Sequence, residues 1–369
     1  MTSLFRRWQT EEDDAYVVSL VRTISGVLLL LSGLRELGPL RSDAHFADVF
    51  HIPLLPEALV AGRAVFTVLT LAQLALAVLV VVGRWARPAL LGTAIIGLYL
   101  LLCDRLAYHN NRYALLLFAL LLAFTPCDRA FVVGRAATSA KARRGPLWAA
   151  RLAQMQMGII YVASGGSKLL DADWREGRVI GDRLVRATSM AIAKGVPAEL
   201  MEVLAQPALA SALAKLAILT ELFLAAGLFL PRTRAFALWW GVMFHLTIEV
   251  TSQVELFTWL SLAIYALFAV PALRERAVVY DPDSRRGTFV ARVVRRLDWL
   301  ARFDIRADAG AAGGRAFVIV ERDGTRAAGI LGAARMARAL PLLFPLFLPL
   351  RVLARAFSSR ADDARTAAC

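Results

Sequence analysis

The chain has 369 residues, 58% of them hydrophobic and 20% charged, with a net charge of +14 and a mean hydropathy of +0.58. A soluble domain averages about 45–50% apolar and about 25% charged residues, so intrinsic disorder and a purely water-soluble enzyme are both excluded. Lysine supplies only four of the 43 basic residues (Lys141, Lys168, Lys194 and Lys215). Basic character in so apolar a chain points to cytoplasmic loops and anionic head groups before nucleic acid. Cys103, Cys127 and Cys369 show neither a CxxC pair nor zinc-ligand spacing, so no disulfide framework or cysteine metal site is expected.

In chain order, a polar start with the acidic run EEDD at 11–14 lacks the basic flank of an ordinary signal peptide. Apolar runs of membrane-spanning length follow at 16–37, 57–83, 88–107, 113–133, 147–170, 207–230, 233–250 and 256–273. Only residues 84–87 separate the second and third, which predicts a tight hairpin. An even number of spans puts both termini on one side. The loops there, at 84–87, 128–146 and 231–234, hold two, five and two Lys or Arg, and the positive-inside rule makes that side cytoplasmic. The 171–206 connection on the other side is as basic as the best of these loops.

From residue 276 the composition changes to 17 Arg against nine acidic residues, +8 of the chain's +14. Strands are predicted at 277–281 (AVVYD) and 316–320 (AFVIV), with a turn at Asp323-Gly324 before a partner strand. Amphipathic helices are predicted at 288–301 and 331–340, and GAAGGR at 310–315 reads as a loop. Pro341, Pro345 and Pro349 exclude an unbroken spanning helix near the end, leaving a peripheral or packed segment. The fold class is therefore an all-α polytopic membrane bundle of about eight transmembrane helices, residues 1–274, with a small C-terminal α/β domain, residues 275–369.

The most informative stretch is 154–174, QMQMGIIYVASGGSKLLDADW. On a helix, Gln154, Met157, Tyr161, Ser164 and Lys168 recur at three- and four-residue spacing, forming one polar stripe. Ser164, Gly165 and Gly166 would let another helix approach closely. Lys168 is either an interface anchor or a functional amine; in a chain that otherwise uses Arg, a lysine offers a proton that can leave. His245 and Glu249 are four residues apart and would share a face, as a metal or proton relay or as a histidine satisfied by its own carboxylate. Glu221 sits mid-span, where a hydrogen bond to Gln or Ser on a neighbouring helix would satisfy it.

The run Tyr161-x3-Gly165-x2-Lys168-Leu169, followed by Asp171-Ala172-Asp173-Trp174-x-Glu176-Gly177, resembles the signature segment of the vitamin K-dependent gamma-carboxylase superfamily, whose bacterial members are HTTM (horizontally transferred transmembrane) domain proteins. The His245 segment, and YHNNRY at 108–113 with Arg112 where the family often has histidine, are similar to two further family segments. The resemblance implies a quinol- or lipid-linked enzyme with a reduced isoprenoid quinone as substrate or cofactor. Lys168, His245 and Glu249 would then be catalytic, and Tyr161, Trp174, Glu221 and Arg112 would line the substrate site. One extra leucine follows the lysine, and the large lumenal domain of the animal carboxylases is missing.

The tail, with VVYDPDSRRG and FVIVERDGTRAAGILGAARMARALP, resembles the DCC-family thiol-disulfide oxidoreductase module, a thioredoxin-like fold. Pro282 replaces the motif glycine, and Ser284 and Gly287 stand where its two cysteines would be, so disulfide exchange is not expected. Asp281 is then expected to cap a helix. The resemblances imply a multi-pass bacterial inner-membrane protein with a possible cytoplasmic protein partner for its tail and no nucleic-acid role. The alternative function is a non-catalytic anchor or scaffold presenting a redox-dead thioredoxin-like module.

Overall fold

A computed structural model describes residues 12–41, 53–105, 108–136, 139, 141–251, 256–268 and 276–366. The chain divides into two compact units, Met1–Phe229 with Phe244–Val270, and Leu230–Met243 with Pro271–Cys369.

The first unit is helical. A short strand β1 (Glu12–Asp14) pairs antiparallel with β2 (Arg144–Pro146), matching Glu12 to Pro146 and Asp14 to Arg144. Asp14 accepts the backbone N–H of Tyr16 at the start of α1 (Tyr16–Arg41), and Arg143 grips the same carboxylate at 2.8–2.9 Å. Then come α2 (Arg63–Val82), α3 (Ala86–Leu102), α4 (Asn110–Ala123) and α5 (Trp148–Leu170). The connection after α5 is itself helical: a single turn α6 (Ala172–Arg175), then α7 (Arg178–Ala193) and α8 (Ala198–Ala205). The long α9 (Pro207–Gly227), α10 (Arg234–Thr251) from Phe244 onward and α11 (Phe257–Leu267) complete this unit, while α10 up to Met243 belongs to the second. Helix α5 packs on α9, α11 and α4, and α1 packs on α2, α11 and α4.

Among the described residues, three helices are long and apolar enough to cross a membrane: Tyr16–Gly38 within α1, α2 and α9. Helices α3, α4 and α11 are apolar but only 17, 14 and 11 residues long. Helices α3 and α4 stop earlier than their hydropathy predicts, for local reasons: Asp104 and Arg105 follow α3, and Pro126 bars helical geometry at Thr125 beyond α4. The last part of the predicted 256–273 span, from residue 269, lies outside the described residues. The predicted hairpin forms between α2 and α3, where Gly83 ends the first helix in the left-handed region.

The first unit's internal brace was not foreseen. Arg22 on α1 is fully buried, and its guanidinium donates to five carbonyls: Val80 and Val81 at the end of α2, and Cys127, Ala130 and Phe131 in the loop after α4, at 2.8–3.2 Å. The last carbonyls of a helix have no partner within it, so one arginine satisfies groups from two segments.

In the second unit a four-stranded sheet runs in the order β4-β3-β5-β6, with β3 (Arg276–Tyr280) parallel to β4 (Phe303–Ala307) and antiparallel to β5 (Phe317–Val320), which pairs antiparallel with β6 (Arg326–Ala327). Helix α12 (Arg285–Leu297) joins β3 to β4. Its first-turn N–H groups are met by Ser284, whose hydroxyl accepts from Gly287 N; Asp281 instead accepts from Asp283 N in the preceding turn, so the expected cap lies three residues further on. A one-turn helix α13 (Ala309–Ala312) occupies part of the predicted 310–315 loop. After β6 come α14 (Gly329–Ala337), a 3-10 turn Pro341–Leu346 and α15 (Phe347–Thr366). Val278, Val294, Phe303, Ile319, Met336 and Leu340 form the core, each worth about 1.5–3 kcal/mol of burial.

Candidate functional site

The polar stripe predicted on 154–168 forms on α5. Gln154 donates to the carbonyl of Leu267 at the end of α11, at 2.8 Å. Met157 and Tyr161 are buried, and the stripe ends in Ser164 and Lys168 near the C-terminus of the helix. Gly165 brings α9 close: a β-carbon there would lie 3.0 Å from Leu222 and 3.3 Å from Glu221 Cβ, whereas Gly166 faces open space.

That approach sets an ion pair. Lys168 Nζ lies 2.5 Å from Glu221 Oε1, Ser164 Oγ accepts from Lys168 at 2.8 Å, and Ser164 donates to Glu221 at 3.1 Å. The Glu221 side chain is 8% exposed and that of Lys168 17% exposed, so the amine is the open end of the pair. Taking both charges out of water is repaid only when further hydrogen bonds complete the geometry, which Ser164 provides. Trp174 covers the amine, its ring centroid 4.9 Å from Nζ, and Arg183 lies 5.0 Å from the same ring.

The DADWREG run makes this cover. Asp171 ends α5 and accepts the N–H of Asp173 to start the single turn α6, which carries Trp174 back over Lys168. Asp173 and Glu176 both pair with Arg178, and Arg175 donates to the carbonyl of Leu169. Gly177 has φ +85°, and a β-carbon there would lie 2.3 Å from Ser211 N, so glycine meets both the backbone conformation and the contact with α9.

Two helical turns before Lys168 on the same helix, the Tyr161 hydroxyl lies 2.7 Å from His245 Nε2 and bonds to the hydroxyl of Tyr265 on α11. His245 is 2% exposed, with Phe257 and Tyr265 packed edge-on at 5.6 and 5.8 Å. Phe257, Ser261 and Tyr265 recur every four residues, so Ser261 shares the face of α11 turned to this imidazole. Among the described residues, His245 Nδ1, Ser261 Oγ and Glu221 Oε2 are buried without a hydrogen-bond partner. Buried polar atoms are nearly always bonded, so a hydroxylated ligand or water suits these positions.

The structure thus brings Lys168, Glu221, Tyr161, Trp174 and His245 onto or around one face of α5. It does not bring Glu249 or Arg112 there. Glu249 pairs with Lys194 at the end of α7, at 3.5 Å, and makes no relay with His245. Arg112 pairs with Glu36 of α1 beside a separate small cleft, lined also by Gln73, Gly97 and Leu115. Ser261, Tyr265 and Arg183 were not singled out in the sequence; the hydroxyls of Ser261 and Tyr265, four residues apart in a largely apolar helix, were the signal available. Among the described residues no three His, Cys, Asp or Glu side chains cluster as metal ligands.

The HTTM domain family profile matches residues 10–272, well over half of the chain. The chain belongs to the HTTM domain family. Comparison with curated proteins and with solved structures gave no match. The matched range holds every residue of the Lys168 and His245 centres, so both belong to the HTTM domain, and with its apolar helices the chain is a membrane protein.

Proposed function

We propose that the HTTM domain is an intramembrane enzyme that deprotonates a hydroxylated, lipid-soluble substrate such as an isoprenoid quinol, with Lys168 as the base. The observation that carries this reading is the buried Lys168–Glu221 pair with its amine partly open. In this scheme Lys168 first passes its own proton to Glu221 within the pair, and the free amine then accepts the hydroxyl proton at Nζ, leaving the substrate oxyanion beside the ammonium. Tyr161 and Tyr265 hold the His245 imidazole, whose Nδ1 is left to bond a second substrate oxygen. Trp174 covers the amine against water, while Leu169 and Leu170 beside it are 48% and 83% exposed, as suits an approach from lipid. Glu249, tied to Lys194, stands outside the reacting group in this scheme.

The same reading takes α3, α4, α5, α10 and α11 as further crossings, giving an eight-span inner-membrane bundle with cytoplasmic termini. It takes residues 275–369 as a degenerate DCC module. A parallel β–α–β unit, an antiparallel pair and a following helix support a thioredoxin-like tail. Ser284 and Gly287 at its helix start favour a second reading, in which the bundle anchors a redox-dead module for a protein partner.

Deprotonation of a quinol speeds its two-electron oxidation to the quinone by dissolved O2, which is reduced to peroxide, so quinol-dependent oxygen uptake by the full chain in liposomes, wild type beside Lys168→Ala, tests the enzyme. Uptake abolished by the substitution is expected. Uptake no greater than in empty liposomes across several quinols, or unchanged in Lys168→Ala, would overturn it and leave the anchored scaffold.

A further inference from the structure

The surface of α15 does not suit water. Phe347 and Ala354, seven residues apart, turn one face inward and are 4% and 7% exposed. Turned away from that face, Val352, Leu353 and Phe357 are 62%, 49% and 55% exposed, and Leu342 and Leu346 in the preceding turn are exposed as well. Arg351 and Arg355, four residues apart and both exposed, border this apolar strip on the Val352 side. Large apolar side chains bordered by arginine on a short helix form the pattern of a segment lying in a bilayer interface.

A second observation places the strip. The indole N–H of Trp239 on α10 donates to the carbonyl of Pro345 at 2.8 Å, within the same compact unit. Trp239 stacks among Phe236 and Trp240, with centroids 5.9–6.4 Å apart, within two turns of the start of α10. A helix rises 1.5 Å per residue, so the cluster sits about 3–9 Å into α10, the depth of the aromatic belt at a membrane boundary. With α10 taken as a crossing, as in the function proposed above, the segment bonded to Trp239 lies at that boundary.

We propose that residues 342–357 dock on the surface of the bilayer that the chain itself occupies, with Leu342, Leu346, Val352, Leu353 and Phe357 entering the interface and Arg351 and Arg355 meeting anionic phospholipid head groups. The charge and apolarity of the strip match that surface together, and the Trp239 bond ties it to the first part of α10 within the same compact unit. The proposal rests on α10 entering the membrane, as the function proposed above also requires.

The test uses the full chain, with single nitroxide labels at Val352→Cys, Leu353→Cys and Phe357→Cys, reconstituted in phosphatidylglycerol-containing liposomes. Asp323→Cys, in the exposed turn before β6, is the aqueous control, and Thr247→Cys reports α10 itself. Accessibility to an aqueous nickel chelate is expected to be several-fold lower at 352, 353 and 357 than at 323, and accessibility to oxygen higher. Replacing the anionic lipid by phosphatidylcholine, or Arg351 and Arg355 by Gln, should raise nickel accessibility at these sites. Water-like values at 352, 353 and 357 with lipid-like values at 247 overturn the docking alone; water-like values at 247 overturn the membrane placement of α10.

Discussion

Lys168 and Glu221 meet across α5 and α9 at 2.5 Å, and the hydroxyl of Ser164 bonds to both. Removing one charge leaves the other buried without compensation. Lys168→Met is expected to cost about 3–5 kcal/mol, whereas Lys168→Met with Glu221→Leu should recover most of that loss. Thermal denaturation of the four proteins in detergent closes the cycle, and a double variant no more stable than the single one would contradict the pairing.

The two tyrosines around His245 are not equivalent. Tyr161 reaches both the imidazole and Tyr265, while Tyr265 reaches Tyr161. Tyr161→Phe leaves His245 Nε2 buried and unbonded and should cost about 1–3 kcal/mol; Tyr265→Phe should cost about 1 kcal/mol or less. Equal losses in melting experiments would show that the imidazole does not depend on Tyr161.

Arg22 cannot be replaced by lysine without loss. Its guanidinium has five N–H donors for five carbonyl bonds, and an ammonium has three. Arg22→Lys should lower stability by about 2–4 kcal/mol, and Arg22→Met by more than about 4 kcal/mol. Cys127, whose carbonyl is one of the five and whose side chain is buried, should become reactive to maleimide in the weakened variant while staying protected in the parent.

In the C-terminal unit, the two positions that would carry a thioredoxin-type cysteine pair differ in what they tolerate. A side chain at Gly287 would lie 2.5 Å from the carbonyl oxygens of Asp281 and Ala316. Ser284→Cys should fold normally, and Gly287→Cys should cost about 2–3 kcal/mol by overpacking. The double variant should form no disulfide by thiol titration. A stable double variant that does form one would refute this account.

Burial, with the like charges of Arg276 and Arg338 beside it and Asp298 and Glu321 opposing, pulls the pKa of Arg302 down to about 10. The unfolded chain therefore keeps this proton at pH values where the folded chain has begun to lose it. The lowered pKa means the charged form is disfavoured by folding below about pH 10, and this cost fades as pH rises past that value. The stability of the parent relative to Arg302→Met should accordingly rise between denaturant melts run below and above pH 10.

Much of the Lys168 centre was legible because three- and four-residue spacing alone puts Tyr161, Ser164 and Lys168 on one face. The pairing with Glu221 was only half legible. A mid-span carboxylate calls for a donor, and Ser164 on the neighbouring helix supplies one, but nothing in the one-dimensional pattern selects α9 as the partner of α5. Glu249 illustrates the converse error: its spacing from His245 is right for a shared face, yet Lys194, 55 residues earlier, takes it. In the tail, β3 and β5 were read from their apolar runs, while β4 was missed because Asp304 and Arg306 interrupt Phe303 and Ile305 over only five residues. The helical connection 172–205 was hidden by low overall apolarity, its short helices burying only Leu184, Ala191 and Met201.

The pairing of residues 12–14 with 144–146 has a consequence for how the polypeptide threads the bilayer. Two strands that exchange backbone hydrogen bonds occupy the same compartment, so the intervening chain, α1 through α4, makes an even number of crossings whichever way round the protein sits. The arginine count of the loops has no part in that parity. Epitopes placed ahead of Glu12 and beside Lys141 should consequently be reached by the same impermeant reagent, or be shielded from it together.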